Sequence, residues 1–257
     1  MRGFIGSSIF IVLLCTTILF GITSAQAMDA DAWNRKGNEL AQQGKFEEAL
    51  KAFEKATELD PKHAEAWSNR GAALGRLGQY EKAITAFDKA IGLNPKDSQA
   101  CAGKGTALLS LSRFPEALKA LDKAIALKSD DASYWNNKGI TLRMLGRDSE
   151  ALDVYNKALE LQPDNPETWT NKGGVLGKLG RHAESLKAHD KAISLRPDLG
   201  GAWYNKACAY SLMSDRKNAL KTLAKAIQLD TSLKSAAKQD PDFKSFWNDK
   251  DFKKLTE

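Results

Sequence analysis

Few residues in this chain have side chains suited to chemistry. His182 and His189 lie seven residues apart, a spacing that places two imidazoles on one helix face, where they could share a metal ion. Zinc usually takes four ligands, so a site there would need further donors. Both histidines also fall on columns where corresponding segments carry Phe46, Tyr80 and Phe114, or Phe53, Phe87 and Tyr155. They therefore read as packed stand-ins for aromatics, while His63 reads as an exposed residue at a segment boundary. The sequence contains no phosphate-cradling G-x-x-x-x-G-K-[ST] loop, no G-x-G-x-x-G, no H-E-x-x-H and no G-x-S-x-G. The expectation is a protein that is not an enzyme and carries no cofactor and no metal.

What remains is a set of amides and cations in register. Asn69, Asn137, Asn171 and Asn205 lie on one grid, with Arg35 and Gly103 at its other nodes. An amide side chain both donates and accepts hydrogen bonds, so a row of them can hold an extended peptide backbone without reading its sequence. Two basic columns run beside it: Lys36, Arg70, Lys104, Lys138, Lys172, Lys206, and then Lys55, Lys89, Lys123, Lys157, Lys191, Lys225. Acids such as Asp88, Asp122 and Asp190 are interleaved with them. The columns read as solvated lysine stems more than as a nucleic-acid surface, and no nucleic acid is expected.

The elements that must position these columns come from a repeat. Trp33, Trp67, Trp135, Trp169 and Trp203 fall on a 34-residue grid, with Cys101 at the remaining node. Taking that residue as the fourth of each unit gives six units, 30–63, 64–97, 98–131, 132–165, 166–199 and 200–233. Position 8 is Gly37, Gly71, Gly105, Gly139, Gly173 and then Ala207; position 27 is Ala in every unit; Pro61, Pro95, Pro163 and Pro197 mark position 32. In the second unit Trp67, Gly71, Leu74 and Leu77 share one helix face, Gly78 stops that helix, and Tyr80, Ala83, Ile84, Phe87, Ala90 and Ile91 share the face of a second. Gly177, inside the first helix of the fifth unit, has no role legible in the pattern.

A 34-residue unit with Trp at 4, Gly at 8, Ala at 20 and 27 and Pro at 32 resembles the tetratricopeptide repeat. The resemblance covers nearly all of the chain after residue 29. It implies an all-α fold, a right-handed α-solenoid of six helix-turn-helix units whose stacked pairs share one core and face a concave groove. It also implies that position 6 looks into that groove, as in the asparagine ladders of some peptide-binding members. The peptide contacts are then Asn69, Asn137, Asn171 and Asn205, with Asn38, Arg35, Asn34, Asn136, Arg76, Arg143 and Lys178 beside them. The carboxylate clamp of some chaperone-binding members is incomplete: Asn38 and Asn69 match it, but Asn34 replaces its first Lys, and Gln99 and Gly103 its last basic pair.

The ends differ from the repeat. Residues 1–27 begin with a single charge, Arg2, continue with an apolar run from Phe4 to Ile22, and close on Ala25-Gln26-Ala27. A signal peptide cut after Ala27 and an uncleaved membrane anchor, a tether through residues 4–22, both fit this pattern. Cys15 has no small residue before it and is not expected to carry a lipid. Either reading puts the rest of the chain outside the cytoplasm, secreted, periplasmic or at the cell surface. Residues 234–257 are expected to form a capping helix, with Phe243, Phe246, Trp247 and Leu255 covering the last pair. At the other end Asn34, Asn38 and Gln42 are expected to give the first pair a polar face. Only 24 residues follow the sixth unit, too few for a catalytic domain. Cys101 and Cys208 lie three units apart, and no bridge between them is expected, since each unit touches only its neighbours.

The reading is a monomeric, non-enzymatic scaffold that binds a protein or peptide in its groove. One alternative is an accessory to an envelope complex, docking through its convex face or caps. Another is a basic surface that adheres to acidic partners or a membrane.

Overall fold

The computed structural model describes residues 28–257, and all regular structure in that span is helical. The leader reading falls on residues 1–27, outside the described residues. Among the described residues no helix is long and apolar enough to cross a membrane.

Twelve helices form six antiparallel pairs: α1 (Ala30–Gln42) with α2 (Phe46–Leu59), α3 (Ala64–Arg76) with α4 (Tyr80–Leu93), α5 (Ser98–Ser110) with α6 (Phe114–Leu127), α7 (Ala132–Met144) with α8 (Asp148–Leu161), α9 (Pro166–Lys178) with α10 (His182–Leu195), and α11 (Gly200–Leu212) with α12 (Arg216–Leu229). The first helix of each pair starts 34 residues after the one before. Local chemistry sets the boundaries. Asp29, His63, Asp97, Asp131 and Asn165 cap the starts of α1, α3, α5, α7 and α9 by accepting from backbone N–H groups of the first turn. The turn inside each pair needs a left-handed residue. Gly44, Gly78, Gly146 and Gly180 supply it at φ of 73 to 76°, and Ser112 and Ser214 are forced to 59° and 60°.

Position 8 shows why the pairs pack closely. A Cβ built on Gly71 would lie 2.8 Å from the ring of Phe87, and one on Gly139 would lie 2.5 Å from the ring of Tyr155. The ring at position 24 of the second helix therefore lies where a side chain on the first helix would be. Gly177 has no such constraint, because a Cβ there meets only Ser185 Oγ at 3.6 Å.

The tryptophans join one unit to the next. Trp67, Trp135, Trp169 and Trp203 donate their indole N–H to the carbonyls of Pro61, Ser129, Pro163 and Pro197, at 2.7 to 3.0 Å. Each bond crosses the turn that ends the preceding unit. Cys101, buried where the grid would place a tryptophan, has no indole to donate.

First helices of adjacent units pack directly on one another, α1 on α3, α3 on α5, α5 on α7, α7 on α9 and α9 on α11. They form the inner layer of the solenoid, and the second helices form the outer one. The cap consists of α13 (Leu233–Gln239), a 3-10 segment (Pro241–Phe246) and α14 (Lys250–Thr256), where one helix was expected. Phe243, Phe246 and Phe252 bury themselves against Tyr204, Ala207 and Leu223, and Leu255 packs on the edge of this cluster. Trp247 does not join it and stays exposed. Phe252 takes that place, because α14 folds back on α12 while Trp247 ends the 3-10 segment facing solvent. Arg216 clamps the cap with bonds to Asp249 at 2.6 and 2.8 Å and to Asp251 at 2.6 Å. Asn34, expected on the outer face of the first pair, is instead buried and bridges to the second unit.

Candidate functional site

The groove is built from the inward residues of the first helices, and its asparagines are bonded to one another. Asn69 donates through Nδ2 to Asn34 Oδ1 at 3.0 Å, and Asn34 donates to Glu65 at 3.0 Å. Asn171 donates to Asn136 Oδ1 at 3.2 Å, and Thr168 donates to the same oxygen. Asn137 donates to Thr106 Oγ1 at 3.1 Å. The ladder thus ties position 6 of one unit to position 5 or 9 of the unit before. Asn137 and Asn171 each spend one donor hydrogen this way and keep the carbonyl oxygen and second hydrogen, whereas Asn69 also reaches Glu65 at 3.5 Å and keeps its carbonyl oxygen. The arrangement leaves Asn69, Asn137 and Asn171 able to pair with an extended backbone while fixing their orientation.

Two cavities open in this groove. The first, of about 500 Å³, lies where Gly103 interrupts the asparagines, between the second and third units. Tyr80, Phe87 and Ala107 give it apolar walls, and Asn69, Arg76 and Gln99 line its rim. The Arg76 guanidinium stacks on Phe46, 4.9 Å from the ring centroid. The second, of about 240 Å³, lies between the fifth and sixth units and the cap. It gathers Arg143, Lys178 and Asn205 with His189, Cys208, Asp240 and Asp242. Of the residues expected to contact a peptide, Asn69 and Arg76 meet at the first cavity, and Arg143, Lys178 and Asn205 at the second. Asn34 and Asn136 orient ladder residues. Arg35 is exposed, Asn38 is half-buried, and neither lines these cavities.

Tyr80, Phe87, Gln99 and the cap acids are site residues that sequence reasoning passed over. The glycine in an otherwise polar column was a signal for the first cavity, since removing a side chain there uncovers the Phe87 ring. Asp240 and Asp242 lie outside the repeat and carry no positional signal.

The first basic column is paired within the fold. Arg70, Lys104, Lys138 and Lys206 reach Glu54, Asp88, Asp122 and Asp190 of the preceding unit, for example at 3.3 Å for Arg70 and 2.7 Å for Lys138. Lys36, Lys138, Lys172 and Lys206 also stand over the tryptophan of their own unit. For Lys172 the residue that corresponds to those acids is Asn156, and burial lowers the Lys172 pKa. Arg70, Lys104, Lys138 and Lys206 are balanced by neighbouring carboxylates, so these four make a weak surface for capturing phosphates.

Buried titratable groups of the repeat interior are shifted mainly by burial. His189 is 0% exposed, and its imidazole is pushed down to about 4. Tyr155 is pushed up to about 12, again by burial. The thiols of Cys101 and Cys208 are raised by burial, and in Cys208 also by the charge of Asp240. Both cysteines are free. Neutral imidazole and protonated thiol describe a packed interior, not an activated nucleophile.

Comparison with known proteins agrees with this architecture. Family models described as tetratricopeptide repeat match residues 34–98 and 103–166, 154–187, and 200–232. No curated protein matches the chain. Among solved structures, the chain is similar to YrrB, described as a tetratricopeptide repeat protein with an unusual peptide-binding site. That similarity has 26% identity and a TM-score of 0.60, and covers 71% of this chain and 94% of the other. PilF of Pseudomonas aeruginosa aligns with a TM-score of 0.69 at 19% identity, over 86% of this chain and 97% of its own. MamA of Desulfovibrio magneticus RS-1 aligns with a TM-score of 0.61 at 23% identity, over 68% of this chain and 99% of its own. At these identities the last two show the fold alone.

Proposed function

This chain belongs to the tetratricopeptide repeat family, a non-enzymatic interaction scaffold, and from that premise we propose that it holds an extended segment of a partner protein in its concave groove, outside the cytoplasm. The observation that carries the reading is the row of oriented amides at Asn69, Asn137 and Asn171, continued by Asn205 beside the second cavity. Pre-oriented donors and acceptors lose little entropy on binding a backbone. The first cavity, with Phe87 and Tyr80 in its wall, has room for a partner side chain. YrrB, with its printed peptide-binding site, lends support from a similar fold. The extracytoplasmic location rests on the apolar run and A-x-A site in residues 1–27 alone.

The test is to change Asn69, Asn137, Asn171 and Asn205 together to Ala and measure capture of partners from an envelope or secreted fraction. Capture should fall. Unchanged capture with intact helicity would sink the groove reading and favour docking through the convex face or the caps. A purified protein whose first residue is Met28 supports an exported, cleaved chain, and a retained leader supports the anchor.

A further inference from the structure

Resting on the groove reading above, we propose that the cavity at Gly103 selects the partner: it seats an aromatic side chain of the bound segment, while Arg76 at its rim takes an aspartate or glutamate beside that residue. The amide ladder holds a backbone without reading its sequence. The cavity is where the sequence is read.

The ring of Phe87 is held between glycines of two units. A Cβ built on Gly71 would lie 2.8 Å from it, and one on Gly103 would fall still closer, against the ring tip at Cζ. Phe87 therefore occupies the space that a side chain at position 6 of the third unit would need, and it forms the floor of the cavity. In the second, fourth, fifth and sixth units that position carries Asn69, Asn137, Asn171 and Asn205. Tyr80 and Ala107 extend the apolar wall of a space of about 500 Å³. Polar groups of the lining are spent inside the fold. Thr106 Oγ1 donates to the Ala102 carbonyl and accepts from Asn137, and Ser110 donates to the Thr106 carbonyl. Two rings in one wall favour an aromatic guest, since edge-to-face and offset pairs gain energy beyond the area they bury. An aromatic anchor in a desolvated pocket is also where interfaces concentrate their affinity.

The rim supplies the charge preference. Arg70, Arg113, Arg147, Arg181, Arg196 and Arg216 all reach carboxylates. Arg76 reaches none among the described residues. It is exposed, stands over the Phe46 ring and lines the cavity. Position 2 is Asp31, Glu65 and Glu167 in the first, second and fifth units, but Gln99 in the third, so the third unit adds no negative charge at this rim. Glu65 is on the same helix as Arg76, α3, but near its opposite end, about 16 Å away along the axis. It is also engaged by Asn34. The guanidinium thus keeps its planar fork for a carboxylate brought by the partner.

The test selects a phage-displayed library of random linear peptides on the full chain and titrates an enriched peptide by fluorescence anisotropy. Enriched peptides should carry Phe, Tyr or Trp with Asp or Glu beside it. Ala in place of the aromatic residue should weaken binding about tenfold or more. Gly103→Asn repeats in the third unit the combination that Phe53 and Asn69 make one unit earlier, so the repeat accommodates it. In that variant the difference between the aromatic and Ala peptides should vanish. Arg76→Gln should remove the preference for the acid, together with its sensitivity to salt. The substitution in the peptide needs no altered protein, so it decides the matter even where a variant folds poorly. Enriched peptides without an aromatic residue, or an aromatic preference that survives Gly103→Asn, overturn this inference and leave the groove reading standing if the four-asparagine variant loses capture. An acid preference that survives Arg76→Gln overturns the role of Arg76. Enrichment of no peptide at all overturns the inference together with the groove reading.

Discussion

Replacing His189 with Phe should make the protein more stable and remove part of its sensitivity to acid. The imidazole lies against Gly173 in the place that Phe87 occupies against Gly71, so a phenyl ring fits the same slot. Both ring nitrogens are buried without partners, and each orphaned polar group costs about 1–3 kcal/mol. At pH 7.5 the variant should therefore gain about 1–3 kcal/mol. The pH dependence follows from burial. The folded imidazole titrates near about 4 instead of 6.5, with Asp190 and Lys206 as the charges that modulate it. Between those values the unfolded chain binds a proton that the folded chain does not. The stability is thus complete above about pH 6.5 and is lost as the pH falls towards 4. Across the full window the loss reaches about 3 kcal/mol, and between pH 7.5 and 5.0 it is about 2 kcal/mol. Urea denaturation of both proteins at pH 7.5 and 5.0 measures it. His63 and His182 are retained in both, so the difference between the two pH slopes isolates His189. Equal slopes, or a variant less stable at pH 7.5, would refute the reasoning.

Ser112→Gly and Ser214→Gly should each add about 1 kcal/mol, because both serines hold a left-handed backbone that glycine adopts without a Cβ penalty; thermal melts report it. Gly139→Ala and Gly177→Ala should move in opposite directions although both lie inside first helices. The first drives a methyl against the buried Tyr155 ring and should cost about 1–3 kcal/mol, whereas the second meets only ordinary contact and should gain about 1 kcal/mol of helix propensity. A destabilised Gly177→Ala would show that its place beside the second cavity matters for packing.

The repeat made most of the fold legible in the sequence. Six copies of one column average away local exceptions, so Trp67, Gly71 and Phe87 announced a packed helix pair through their counterparts. The cap was legible only as a cluster of aromatics. Whether Trp247 or Phe252 faces the core depends on where the chain turns after Phe246, and no second copy records that. The ladder was visible as a column, but its internal bonding was not. Asn69 to Asn34 and Asn171 to Asn136 each span 35 residues, one unit plus one, which becomes meaningful once helices of adjacent units are known to touch. Cys208 with Asp240 and Asp242 escaped notice because contact across a fold edge has no period.

The indole bonds make the joints of the solenoid unequal in kind. Four of its five joints carry a tryptophan tie across the inter-unit turn, and the joint at Cys101 does not. That joint is held by the packing of α5 against both α3 and α4 and by the Lys104–Asp88 pair, and it lies beside the cavity opened by Gly103. The apolar contacts that close the second and third units on one another therefore include those that wall the opening, so a side chain seated there shares its surroundings with the joint itself.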